Sequence, residues 1–252
     1  MLLAVDVGNT NTVLGLFTGE ELVRSWRITT HARATGDEMA LTFRGLLDEQ
    51  PEITGLVLCS TVPSVLHELR PMLSSFFHEV PVVIVEPGTK TGVPILTDNP
   101  KEVGADRIVN TLAAHQQFGG PCIVVDFGTS TNLDVVSAQG EFLGGALAPG
   151  IDISLEALST KAAQLRKVEV VRPRSPIGKN TVEALQSGAV FGFAGQVDGL
   201  VDRIIEEIGP VTAVVATGGL ASVVIDESET ITHHDPHLTL TGLRLVFERN
   251  VD

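Results

Sequence analysis

Two turns rich in hydroxyl and amide side chains carry the residues of this chain best suited to gripping phosphate. Near the start, Asp6-Val7-Gly8-Asn9-Thr10-Asn11-Thr12-Val13 follows the apolar run Leu2-Leu3-Ala4-Val5 and leads into Leu14-Gly15-Leu16-Phe17. Mid-chain, Asp126-Phe127-Gly128-Thr129-Ser130-Thr131 follows Ile123-Val124-Val125 and leads into Leu133-Asp134-Val135-Val136. Glycine in such a turn lets the backbone come close to a ligand. Successive amides and short polar side chains can donate to phosphate oxygens. An aspartate at the strand end can orient a hard cation or its water shell. A single copy could be an ordinary Asp-Gly hairpin. Two copies separated by about half of the 252 residues point instead to a duplicated fold with one phosphate turn per half.

Phosphoryl transfer also needs a carboxylate to accept the acceptor hydroxyl's proton. Asp106 in Gly104-Ala105-Asp106-Arg107 is the candidate, with Arg107 beside it as an anion clamp. An acid in a helix's first turn is favoured by the helix dipole in any case, so the bare sequence leaves both readings open. Gly178-Lys179-Asn180-Thr181-Val182-Glu183 reads as a helix start, with Asn180 as cap and Glu183 in the capping-box position. Thr217-Gly218-Gly219 after a short strand reads as a plain turn before a ligand site. His233, His234 and His237 with Asp235 sit beside Pro236 and read as an exposed loop before a metal cluster. P-loop, Rossmann and serine-hydrolase signatures do not occur.

These groups must be positioned by a chain of 43% hydrophobic and 19% charged residues, a composition that fits a globular core. The formal net charge of −14 and the lack of a basic stripe argue against extended contact with nucleic acid or anionic membrane. No apolar stretch approaches the roughly 20 residues a membrane span needs. Cys59 and Cys122 lie in apolar runs and read as buried strand thiols, which suits a reducing, cytoplasmic setting. Apolar spacing predicts strands around both turns, a third run at Glu21–Ile28, a helix from Thr35 or Asp37 to Glu49, a strand at Gly55–Ser60, a helix from Pro63 to about Phe77 and a strand at Val82–Val85. A loop rich in Gly, Pro, Thr and Asn covers Glu86 to Val103. Beyond it the pattern predicts a helix from Gly104 to about Phe118, strands at 122–127, 131–137 and 141–148, and a helix from about Asp152. A helix from Thr181 to about Ile208, a strand at Val211–Ala216 and a closing helix at Leu238–Asn250 complete it. The halves divide at 1–103 and 104–252, each a mixed sheet with flanking helices.

The ordered set Asp6–Thr12, Gly104–Arg107, Asp126–Thr131, Gly144-Gly145 with Pro149-Gly150, and Gly178–Thr181 resembles the type III pantothenate kinases, over nearly the whole chain. That resemblance implies a duplicated ribonuclease H-like, actin-like ATPase fold of the α/β class. It implies ATP-dependent phosphorylation of pantothenate, the first step of coenzyme A synthesis, in a cytoplasmic homodimer. By the same resemblance, residues Asp6, Val7, Gly8, Asn9, Thr10, Asn11, Thr12 and Val13 hold the nucleotide phosphates and Thr129 adds a contact to ATP. Gly104, Ala105, Asp106, Arg107 and Thr181 bind pantothenate, with Asp106 as proton acceptor. Asp126 binds potassium or ammonium, and magnesium accompanies ATP. The second signature departs from the family's usual Asp-Phe-Gly-Thr-Ala-Thr-Thr-Phe-Asp at Ser130, Asn132 and Leu133, which bears on packing at the nucleotide side. The alternatives are a kinase of another small hydroxylated acceptor on this fold, or a non-catalytic nucleotide-binding regulator. An arginine at 107 suits an anionic acceptor better than a neutral sugar.

Overall fold

A computed structural model describes residues 1–48, 50–162, 165 and 167–251. The predicted helix end at Glu49 lies outside the described residues. The chain forms two compact units: Met1–Val93 with Asn99–Ala113 and Thr239–Asp252, and Pro94–Asp98 with Ala114–Leu238. Among the described residues no helix is long and apolar enough to cross a membrane.

In the first unit the near-continuous apolar run β1 (Leu2–Val7) becomes the central strand, buried on both faces. It pairs antiparallel with β2 (Asn11–Thr18), which pairs with β3 (Glu21–Thr29); on its other side it runs parallel to β4 (Gly55–Ser60), which is followed by β5 (Val82–Ile84). Edge strand β3 alternates half-buried and exposed residues, as a strand wetted on one side should. Helices α1 (Gly36–Leu47) and α2 (Pro63–Phe76) cover the face carrying Leu3, Val5, Leu14, Leu16, Leu56 and Leu58. Thr35 starts α1 through a reciprocal capping box with Glu38, and Pro63 fits the first turn of α2, where its missing N–H costs nothing. The opposite face is kept flat by Ala4, Gly15 and Gly55. There α7 (Leu238–Asn250) closes on the sheet, with Leu240 against Gly15 and Phe247 against Gly55. A methyl at Gly15 would meet Leu240 at 2.7 Å, so the absent side chain is what lets the helix approach. The first part of helix α3 (Ala105–Phe118) belongs to this unit, where the Val109 backbone abuts Gly242 of α7.

The second unit repeats the connectivity. Strand β6 (Cys122–Phe127) pairs antiparallel with β7 (Ser130–Val136), β7 with β8 (Phe142–Pro149), and β6 parallel with β9 (Ala213–Thr217). The order β10-β9-β6-β7-β8, with β10 at His233–His234, mirrors β5-β4-β1-β2-β3. Helices α4 (Ile151–Lys161) and α5 (Thr181–Ile208) supply Ile151, Leu155, Ala189, Ala194, Val197 and Val201 to a core shared with Ile123, Val125 and Leu133. A four-residue α6 (Ala221–Val224) follows β9. The predicted order of strands and helices is the observed one. The additions are α6, β10 and single 3-10 turns at Pro100–Glu102 and Ile225–Glu227, all too short to leave a periodic signal.

Candidate active site

Sheet register places the chemistry. Asp6 lies opposite Val13 on β2 and level with Cys59 on β4, and Val13 lies opposite Arg27 on β3. Paired residues share a sheet face, so Arg27, Val13, Asp6 and Cys59 form one row on the face where α7 packs. Beyond Asp6 the chain turns through Gly8, Asn9, Thr10 and Asn11, closed by the Gly8 N–H donating to the Asn11 carbonyl at 3.0 Å. Asn9 and Thr10 are exposed, and the buried Thr12 hydroxyl is tied to Thr30 at 2.8 Å. The turn offers its polar atoms outward from a rigid base.

Asp106 occupies the first turn of α3 in the same unit. Its Oδ1 accepts from the Arg107 backbone N–H at 2.9 Å. That oxygen also fills the space a side chain at Gly104 would need, a packing reason for glycine there. Burial pushes the Asp106 carboxyl above the usual carboxylate range, while the Arg107 amide and guanidinium hold it down. Burial pushes Asp6 up to about 7, the Asp106 charge adds to that, and the Cys59 thiol and Arg27 oppose it. The repulsion between the two carboxylates falls on whichever ionises second, and that is Asp6.

In the second unit Asp126 lies opposite Asn132 and level with Thr217. The turn closes with the Gly128 N–H donating to the Ser130 carbonyl at 3.0 Å, leaving Gly128 and Thr129 exposed. Gly218 has φ +91°, and a methyl there would lie 2.5 Å from Asp126 Oδ1 and 2.7 Å from the Phe127 backbone. Only glycine fits that conformation and that closeness. The sequence-level reading of Thr217-Gly218-Gly219 as a plain turn misses this contact, because its partner is 91–92 positions away on β6. The departures from the family signature find local reasons. Ser130 donates to the Asn132 side-chain oxygen at 2.7 Å, and Leu133 is fully buried in the second unit's core. Thr181 is exposed at the start of α5, where the Asn180 side chain accepts from the Glu183 amide at 3.0 Å. The Glu183 carboxylate accepts from the Lys179 amide at 2.9 Å, one residue before the cap expected for a capping box. His233 and His234 are exposed on the edge strand β10. Among the described residues no group of three His, Cys, Asp or Glu is placed to hold a metal alone.

The donor set fits a hard cation that arrives with its ligand. Two desolvated carboxylates, Asp6 and Asp106, repel each other until positive charge comes between or beside them. Magnesium takes one or two carboxylates plus substrate phosphates and keeps several waters, so it needs no dedicated protein cage. Asp6 would face such an ion.

Two sheets of one connectivity, each headed by an aspartate turn, define a duplicated actin-like ATPase fold. Solved structures agree on that fold. The ethanolamine utilization protein EutJ from Carboxydothermus hydrogenoformans superposes with a TM-score of 0.60 at 16% identity, covering 97% of this chain and 89% of that one. The ROK hexokinase from Thermus thermophilus gives 0.51 at 17%, covering 97% of each. The sequence narrows the class. The family profile for type III pantothenate kinase matches residues 2–203. Curated type III pantothenate kinases are 67% identical over 251 residues in Frankia casuarinae, 63% over 252 residues in Salinispora arenicola, and 60% over 262 residues in Streptomyces coelicolor. Each alignment covers the whole of this chain and at least 99% of the relative. The chain belongs to the type III pantothenate kinase family.

Proposed function

We propose that this protein transfers the γ-phosphoryl group of ATP to the primary hydroxyl of pantothenate, giving 4'-phosphopantothenate for coenzyme A synthesis. Residues Asp6 to Val13 cradle the nucleotide phosphates, and Thr129 adds a contact. Gly104 to Arg107 and Thr181 bind pantothenate, with the Arg107 guanidinium suited to its carboxylate. Asp106 accepts the hydroxyl proton. Asp126 would hold potassium or ammonium, and magnesium brought by ATP beside Asp6 would supply charge neutralisation at the transferring phosphate. The segment 1–103 supplies the nucleotide grip and 104–252 the acceptor and monovalent-cation residues, and the protein works as a cytoplasmic homodimer.

Besides family membership, one observation carries this reading: α3 brings Asp106 into electrostatic contact with Asp6 at the head of the phosphate turn, within one unit. A proton acceptor beside the phosphate grip is the arrangement phosphoryl transfer to an alcohol requires. The test is ATP consumption with and without pantothenate, first in potassium and then in sodium. Consumption that depends on pantothenate and is faster in potassium is expected. Background consumption in every mixture overturns the activity, and equal rates in the two salts overturn the cation role of Asp126.

A further inference from the structure

Cys59 stands out among the groups this mechanism leaves unused. It is fully buried, level with Asp6 across the parallel β1–β4 pair, and its thiol donates to Asp6 Oδ1 at 3.3 Å. No other group among the described residues donates a hydrogen bond to that carboxylate. Burial and the charges of Asp6 and Asp106 push the Cys59 thiol well above its usual range. The hydrogen bond runs from the sulfur to the carboxylate oxygen, so the side chain acts here as a donor. Cys122 gives the contrast: it is equally buried on β6, its sequence context is equally apolar, and its thiol has no hydrogen-bond partner among the described residues.

The geometry points to Cys59 as a positioning residue for Asp6: its thiol holds one oxygen of the carboxylate against β4, so that the other is presented to the phosphate turn. The inference rests on the proposed role of Asp6 in nucleotide binding. A thiol suits the task for two reasons. Both side chains leave the same face of neighbouring strands, so a short donor at this position reaches the carboxylate directly. As a weak donor it fixes direction while leaving most of the carboxylate's charge for the ligand side. A side chain of serine's reach keeps the donor; one of valine's keeps the volume and loses it.

Those two replacements make the experiment. In Cys59→Val, the Kd for ADP with magnesium, by calorimetry, and the KM for ATP are expected to rise about five- to tenfold, the scale of one ordinary hydrogen bond lost from a weak donor. The KM for pantothenate should move by less than about twofold. Cys59→Ser should restore nucleotide affinity to within about twofold of wild type, even though its melting temperature falls more than that of the valine variant. A role in packing alone predicts the reverse order. Valine binding ADP as wild type does, or serine binding it worse than valine, overturns the inference. Should the valine variant fail to fold, infrared spectroscopy of the ligand-free wild type decides. The Cys59 S–H stretch is expected at lower frequency than that of Cys122, with Cys122→Ser assigning the bands. Coincident bands overturn the inference. Asp6→Ala separates the two levels of the argument: undiminished ADP binding there removes Asp6 from the nucleotide site, whereas a loss there with none in Cys59→Val removes only Cys59.

Discussion

The two aspartate turns grow from strands of the same register and connectivity, yet they close differently. In the first, Gly8 bonds to Asn11; in the second, Gly128 bonds to Ser130, one residue sooner. The extra residue opens the first turn, with Asn9 and Thr10 both exposed. The second is tightened further by the Ser130–Asn132 side-chain bond and leaves Gly128 and Thr129 outermost. Their aspartates differ as well. Asp6 is gripped by a thiol and faces a second acid, while Asp126 lies against the glycine backbone of the β9 end. A wide turn beside two carboxylates suits a polyphosphate with its divalent ion. The second turn is tighter and exposes fewer polar side chains. The two turns share a scaffold, and one inserted residue with a few side chains sets them apart.

The largest effect should come from the acid beside the first turn. Asp106→Asn is expected to lower kcat by about 10²- to 10⁴-fold, the range of general-base catalysis. ADP affinity should not fall. Removing the Asp106 charge takes away one cause of the raised Asp6 pKa, so affinity below pH 7 should improve slightly. An unchanged kcat takes Asp106 out of the base's role.

Next in size is the cost of holding Asp6 ready. Its carboxyl titrates near 7 in the ligand-free fold, against an ordinary value of 3.8. The fold therefore binds that proton more tightly than the unfolded chain does. The stability this gives is present below about 3.8 and is lost as pH rises through 7. Asp6→Asn should accordingly raise ligand-free stability at pH 8 by on the order of 2 kcal/mol and by much less at pH 5, while abolishing nucleotide binding. Denaturant unfolding at the two pH values checks this, and a variant less stable at pH 8 contradicts it. In the wild type, ADP affinity should fall as pH drops below about 7, because the proton competes with the ligand's cation.

Much of this architecture was legible in the sequence because its signals are local. Apolar runs such as Ile123–Val125 gave the central strands, and Thr35, Pro63 and Asn180 marked helix starts by chemistry confined to one turn. Burial of Cys59 was legible for the same reason, but its partner was not. Which residue of β1 stands level with it depends on the register of parallel strands separated in the chain by two strands and a helix, and no local pattern encodes that. Gly218 looked like any strand-end glycine until β9 was placed beside β6. From sequence the change at Leu133 bears on packing at the nucleotide side, whereas β7 carries the residue into the core; Asn180 caps α5 as expected, but the Glu183 carboxylate accepts from Lys179 rather than from Asn180. These readings needed distances through space.

A smaller effect is expected at the second aspartate. Asp126→Ala should abolish the preference for potassium over sodium and lower the rate in potassium to that in sodium, with ADP affinity changed less than in Asp6→Asn. A variant that keeps the potassium preference would make the two aspartates more alike than the turns suggest.

The smallest effect tests whether the tightness of the second turn matters for function or only for its own order. Ser130→Ala removes the donor to the Asn132 side-chain oxygen, which lies in a residue only 7% exposed. The loss should cost about 1 kcal/mol of stability in denaturant unfolding, the net worth of one such bond. Because the Gly128–Ser130 backbone bond survives, Thr129 should stay in place and the KM for ATP should change by less than about twofold. A larger rise in that KM would mean that the side-chain bond, and not the shorter backbone closure, sets the second turn apart from the first.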